Sequence, residues 1–144
     1  MNKDGQILII EDDKDDQDLF KIVLKGLKVP NEILFFDDGD AILEFLNNDP
    51  NLNPFLIISD INLPKLSGFA LRDKIYNNKE LALRCIPYLF FTSSAAQKDV
   101  IAAYSKSVQG FFVKPSNVAD LEEVLGLIIK YWSHCKSPNK SSIP

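Results

Sequence analysis

The chain is poor in the side chains that bind soft metals or staple small secreted folds. Among 144 residues it has one histidine, His134, and two cysteines, Cys85 and Cys135. The cysteines are far apart and form no Cys-x-x-Cys pair, so a zinc site is not expected and both thiols are read as reduced. No apolar run approaches the ~20 residues that a membrane-crossing helix needs. Acidic residues follow Ile10 directly, leaving no apolar core for a signal peptide. Export and membrane insertion are therefore not expected, and the sequence reads as cytoplasmic. Positive charge is also in deficit: 16 Lys and Arg stand against 20 Asp and Glu, for a net charge of −4. Binding nucleic acid by neutralising phosphates needs a concentrated basic surface, so this balance argues against such a partner. Internal repeats are missing, and the length is that of one ordinary domain. Such a chain buries roughly two-thirds of its unfolded surface and needs no staple.

What is present alternates. Apolar runs at residues 6–10, 32–36, 55–59, 88–91 and 111–113 read as strands, the first of them continuous enough to be covered on both faces. Between them the period becomes helical. Leu19, Phe20, Val23, Leu24 and Leu27 share one face of a first helix, which Asp13 caps and Asp15, Asp16 and Asp18 favour through the helix dipole. Ala41, Ile42, Phe45 and Leu46 form a second helix. A third starts near Phe69, is weak at Asn77-Asn78 and stops by Pro87. A fourth spans 95–106, with Val100, Ile101 and Tyr104 as its apolar contacts, and a last one runs from the cap Asn117 to about Trp132. Strands alternating with helices imply an α/β fold, a parallel sheet with helices on both faces. Residues 133–144, mixing Ser, Pro, Lys and Asn, are expected to stay disordered.

Four of the apolar runs end in a polar residue suited to phosphoryl chemistry: Glu11-Asp12-Asp13, Asp60, Thr92 and Lys114. In an open parallel sheet the strands' carboxyl ends share one edge, where ligands bind. Each residue has an ordinary explanation alone. Asp60 could cap a turn, Glu11 and Asp12 could be solvated helix caps, Thr92 a β-branched strand end and Lys114 a surface lysine. Together they assemble a site. An Asp carboxylate can attack phosphorus to give an aspartyl phosphate, and at neutral pH it needs positioning and charge neutralisation rather than a base. If the first and third strands are neighbours, Glu11 and Asp12 approach Asp60. Two carboxylates ~4 Å apart repel by about 4 kcal/mol at an effective dielectric of 20, so the cluster calls for a cation. All-oxygen donors suit Mg2+. Ser93 and Ser94 are small and leave room for a phosphoryl group.

In these stretches the chain resembles the receiver domains of two-component response regulators. The resemblance covers residues 6–132 and rests on Ile-Ile-Glu11-Asp12-Asp13, on Ser59-Asp60-Ile-Asn62-Leu-Pro64 with Gly68, on Phe-Phe-Thr92-Ser93 and on Phe-Val-Lys114-Pro115. It implies a doubly wound, five-stranded, flavodoxin-like sheet in the order 2-1-3-4-5. It further implies that Asp60 accepts the phosphoryl group and that Asp12, Glu11 through water, Asp60 and the Asn62 carbonyl bind Mg2+. Lys114 would pair with the carboxylate and then with the phosphoryl oxygen, and Pro115 would follow it through a cis peptide bond. Thr92 and Phe111 would form the switch, with phenylalanine where many relatives carry tyrosine. Asn62 and Ser94 would tune the phosphoryl lifetime. Many relatives have Gly-Ala after the fourth helix; here Ser107-Val108 stands there, so a different helix end is expected.

The implied function is that of a stand-alone response regulator. It would be phosphorylated by a sensor histidine kinase or a histidine phosphotransfer protein, and would signal to an unknown downstream protein with no DNA-binding output domain. It would promote its own phosphorylation and dephosphorylation without turning over a separate metabolite. Leu127 and Tyr131 lie off the core stripe of Leu121, Val124, Leu125, Ile128 and Trp132, which suggests docking or a homodimer. His134 has no site around it. Two other readings are a docking module that is never phosphorylated and a Mg2+-dependent phosphohydrolase. The intact acidic, hydroxyl and lysine set argues against the first. Asn62 in place of a second Asp argues against the other.

Overall fold

The apolar runs pair side by side in the computed structural model, which describes residues 2–93 and 96–137. They form β1 (Ile7–Ile10), β2 (Ile33–Phe36), β3 (Leu56–Ser59), β4 (Tyr88–Thr92) and β5 (Gly110–Val113), all parallel, in the order β2-β1-β3-β4-β5. The helices are α1 (Lys14–Gly26), α2 (Gly39–Asn48), α3 (Gly68–Asn77), α4 (Lys79–Leu83), α5 (Gln97–Ser105) and α6 (Val118–His134).

Strand side chains alternate between faces, and the alternation divides the core. Ile7 and Ile9 of β1 join Phe20, Val23 and Leu24 of α1 and Leu121, Leu125 and Ile128 of α6. Leu8 and Ile10 join Ile42 and Leu46 of α2, Leu71 and Ile75 of α3, and Ala103 of α5. Helices therefore cover both faces of the sheet, as the strand–helix alternation requires. Each fully buried Leu or Ile contributes about 1.5–3 kcal/mol of transfer free energy.

Most helix starts obey local capping chemistry. Asp13 accepts from the Asp15 and Asp16 amides, Asp38 from Ala41, Ser67 from Ala70, and Asn117 from Asp120. Asn78 ends α3 and caps α4 through the Leu81 amide, which accounts for the weak point at Asn77-Asn78.

Several expectations change. In α5 the inward residue is Ala103, whereas Ile101 and Tyr104 are exposed. A small alanine lets the helix approach the sheet and turns the larger side chains outward. Ser107 adopts the left-handed conformation, φ 59°, that a glycine would take, at a cost of roughly 1–2 kcal/mol. Arg72, buried on α3, offsets this by donating to the Lys106 and Ser107 carbonyls at 3.0 and 2.7 Å. No cis peptide bond occurs among the described residues, so Lys114–Pro115 is trans. Trans is the lower-energy isomer of an X–Pro bond by about 0.5–1 kcal/mol, and the lysine reaches Asp60 from it.

The last helix continues to His134, so Ser133 and His134 are helical rather than part of a tail. The remainder of the expected tail from residue 138 lies outside the described residues, as do Ser94 and Ala95. Leu127 and Tyr131 are exposed, while Leu121, Leu125 and Ile128 are buried. Both cysteines are free thiols. No helix among the described residues is long and apolar enough to cross a membrane.

Candidate functional site

The sheet ladder places the residues at its carboxyl edge. It continues one position past each strand: the Glu11 amide donates to Phe36 O, Asp60 to Ile10 O and Lys114 to Thr92 O, at 2.8–3.1 Å. With Ile10 paired to Ser59 and Thr92 to Val113, Glu11 and Asp60 are neighbours by register. The Asp60 carboxylate is then oriented by its own turn. Its Oδ1 accepts from the Ile61 amide at 2.7 Å and from Asn62 at 3.4 Å.

Gly68 makes this turn possible. Its amide donates to Ile61 O at 2.8 Å, and a Cβ there would overlap Asp60 O and lie 2.9 Å from the Phe90 ring. The buried Tyr88 hydroxyl donates to Gly68 O.

Lys114 gathers the site. Its Nζ donates to Glu11 Oε2 at 2.6 Å, Asp16 Oδ2 at 2.9 Å and Asp60 Oδ2 at 3.0 Å. An ammonium has three donors, so all are engaged. The lysine side chain is 14% exposed, Glu11 3%, Asp60 10% and Asp16 37%. Burial works against the Lys114 charge, but the hydrogen bonds it donates to Glu11, Asp16 and Asp60 outweigh it and raise its pKa. Glu11 also lies above its ordinary range, because burial raises it more than Lys114 lowers it. Three carboxylates around one ammonium leave a formal charge of −2.

Among the sequence-predicted residues, Glu11, Asp60 and Lys114 are in direct contact. Thr92 is buried at the end of β4. Phe111 is half-buried on β5, its ring 6.3 Å from that of Phe90. Asp12 and Asn62 are exposed beside the cluster, and Pro115 is half-buried after Lys114.

Two contributors were not foreseen. Asp16 read only as a helix-dipole acid, and no spacing rule marks it as a Lys114 partner. Gln17 is buried and donates to the Glu11 carbonyl and to Asp37 Oδ1, tying the β1–α1 loop to the end of β2. A polar residue on the apolar side of α1 was the available signal.

No three acidic, histidine or cysteine side chains among the described residues are disposed to hold a metal together; Lys114 is the cation that joins the carboxylates. The donor chemistry still suits a hard divalent ion. It is all oxygen, its charge is not balanced, and the Asp12 carboxylate has no hydrogen bond or ion pair among the described residues.

A family model described as the response regulator receiver domain matches residues 7–126. The response regulator Rcp1 of Synechocystis sp. is 35% identical over 132 residues, covering 88% of this chain and 87% of Rcp1. The chemotaxis protein CheY-3 of Vibrio cholerae is 30% identical over 130 residues, 90% of this chain and 95% of CheY-3. The structure of the Mn2+-bound form of Rcp1 superposes with a TM-score of 0.79 at 33% identity, over 94% of this chain and 99% of that one. The phosphorylated cyanobacterial phytochrome response regulator RcpA gives 0.83 at 26% identity, with the same coverage.

Proposed function

We propose, for a chain that belongs to the response regulator receiver domain family, that Asp60 is the phosphoacceptor and that the residues around it promote its modification. The chain matches single-domain response regulators across nearly their whole length, and phosphorylation in two-component signalling follows from the family. The receiver unit is taken as residues 6–132.

The observation that carries the assignment is the Asp60 carboxylate itself. It is buried at the sheet edge, with one oxygen fixed by a backbone amide at 2.7 Å and the other 3.0 Å from an ammonium. This is a nucleophile already oriented and partly neutralised. In the forward step a carboxylate oxygen forms a P–O bond. The phosphohistidine P–N bond breaks, and its electron pair leaves with the imidazole. In the return step water attacks phosphorus, the Asp60 P–O bond breaks, and the carboxylate and inorganic phosphate are released.

Lys114 holds the carboxylate beforehand and the phosphoryl oxygens afterwards. Asp12, Asp60 and the Asn62 carbonyl, with Glu11 through water, would hold Mg2+, which when bound supplies charge neutralisation to the transferring group. Thr92 and Phe111 form the switch: the hydroxyl turns toward the phosphoryl group and the half-buried ring follows, shifting a population between two packings.

The phosphoryl source is a sensor histidine kinase or a histidine phosphotransfer protein, and the setting is cytoplasmic. The protein acts on its own aspartate and is not an enzyme with a separate metabolite. Output passes through the face of α5, β5 and α6, where Ile101, Tyr104, Val113, Leu127 and Tyr131 are exposed, either to a downstream protein or to a second copy.

The test is intact-mass measurement after incubation with a small phosphodonor and Mg2+. The parent gains one phosphoryl group and Asp60→Asn gains none. No gain in the parent refutes the assignment, and rapid multiple turnover of donor replaces it with a hydrolase.

A further inference from the structure

We infer that Asp16 is a positioning residue that competes with the incoming phosphoryl group for Lys114 and so slows phosphorylation of Asp60; this rests on Asp60 being the phosphoacceptor. Asp16 is the third residue of α1, and its amide donates to the capping Asp13 at 3.2 Å. Its Oδ2 accepts from Lys114 Nζ at 2.9 Å, shorter than the 3.0 Å to Asp60. The ammonium's three donors are all in use, so none is left for a phosphoryl oxygen.

One partner must yield, and the three are unequal. Asp60 carries the new group. Glu11 is 3% exposed and cannot exchange its partner for water, whereas Asp16 is 37% exposed and can. Asp16 is thus the partner that gives way.

Its charge acts in the same direction. Two carboxylate oxygens sharing one ammonium lie at most roughly 6 Å apart, close enough for a negative charge on Asp16 to oppose an anionic phosphoryl group arriving at Asp60. In the step concerned, the Asp60 P–O bond forms and the donor's bond to phosphorus breaks, its electron pair departing with the leaving group. Asp16 forms no bond to phosphorus; it acts through Lys114 and through its field.

The test compares first-order phosphorylation rates of the purified chain with a small acyl phosphate and saturating Mg2+. Asp16→Asn reacts about three- to tenfold faster at low ionic strength, and the ratio to parent shrinks toward one in ~1 M salt, where the Debye length is ~3 Å. Asp16→Glu, which restores the charge, returns toward the parental rate. Asp15→Asn is the control: it removes one charge from the same turn, and Lys114 makes its ion pairs with Glu11, Asp16 and Asp60, not with Asp15, among the described residues. It stays near the parent.

A structural effect of losing charge in this turn would move both Asn variants alike and would not depend on salt in this way. Parental or slower phosphorylation of Asp16→Asn overturns this inference alone. Equal acceleration in Asp15→Asn also overturns it. Failure of the parent to gain any phosphoryl group overturns this inference together with the assignment of Asp60.

Discussion

Replacing Lys114 by methionine keeps most of the side-chain stem and removes the ammonium. Glu11, Asp16 and Asp60 then lose their common donor. Glu11 and Asp60 are too enclosed to recover that bond with water; Asp16 is open enough to do so. Breaking a buried ion pair by removing one partner costs about 3–5 kcal/mol. The solvated Asp16 and the ability of Glu11 to take up a proton set the expected loss at the lower end, about 3 kcal/mol. With a urea slope of about 2 kcal/mol per molar, the midpoint falls by ~1.5 M.

The pH dependence identifies the cause. Glu11 already sits above its ordinary value of 4.5, with burial raising it and Lys114 opposing. Without Lys114 that opposition disappears and the pKa rises further. A carboxyl group whose pKa is higher folded than unfolded binds more protons when folded. Stability is then greatest below the unfolded value and falls as pH climbs through the folded one. Lys114 has a raised pKa too, so its own contribution is complete below 10.5 and is lost only above it. Between about pH 5 and 8 the lysine term is therefore flat, and the deficit of Lys114→Met should grow with pH across that window. The assay is urea unfolding of both proteins in the presence of a chelator. An unchanged midpoint, or a deficit equal at pH 5 and pH 8, refutes the reasoning.

Three further outcomes are expected. Gly68→Ala forces a Cβ into Asp60 O, so the acceptor turn must move; stability falls by several kcal/mol, as for other backbone overlaps, and phosphoryl uptake measured by intact mass is lost. Arg72→Ala removes two charge-assisted bonds at the end of α5, each worth about 1.5–3 kcal/mol. The melting temperature drops, limited proteolysis opens the segment around Ser107, and Arg72→Lys does not restore both bonds because its charge is a single point. Asp38→Ala costs about 1 kcal/mol of α2 capping at pH 7. The Asp38 pKa is lowered, first by the Ala41 amide. Its contribution is therefore present above the ordinary value of 3.8 and lost as pH falls through the lower folded value, so parent and variant converge in acid unfolding.

The strand ends were legible because two periodicities change there together. A buried parallel strand is largely apolar, so Glu11, Asp60 and Lys114 stood out as the first charged residues after such runs. The ladder then carried each of them to one edge. Capping was legible for the same local reason: Asp13 and Asn117 act on amides two or three residues away.

What failed depended on distance in the chain. Ile101 and Tyr104 fit a helical period as well as Ala103 does, and only the closeness of α5 to the sheet decides which side faces inward. The left-handed Ser107 is made tolerable by Arg72, 35 residues earlier. A cis Lys114–Pro115 bond was implied by resemblance alone. Nothing in the dipeptide demands it, and the lysine reaches its partners without it.

Asp16 is the instructive case. Four aspartates crowd the start of α1, and the helix dipole accounts for every one of them equally. The dipole cannot distinguish Asp15, which meets solvent, from Asp16, one residue on and turned by about 100° toward the sheet edge. Only Lys114, arriving from the end of β5, separates them. A charge pattern read along one helix thus reports how many acids the helix tolerates, while the side chain that crosses to it from another element determines which acid does chemistry.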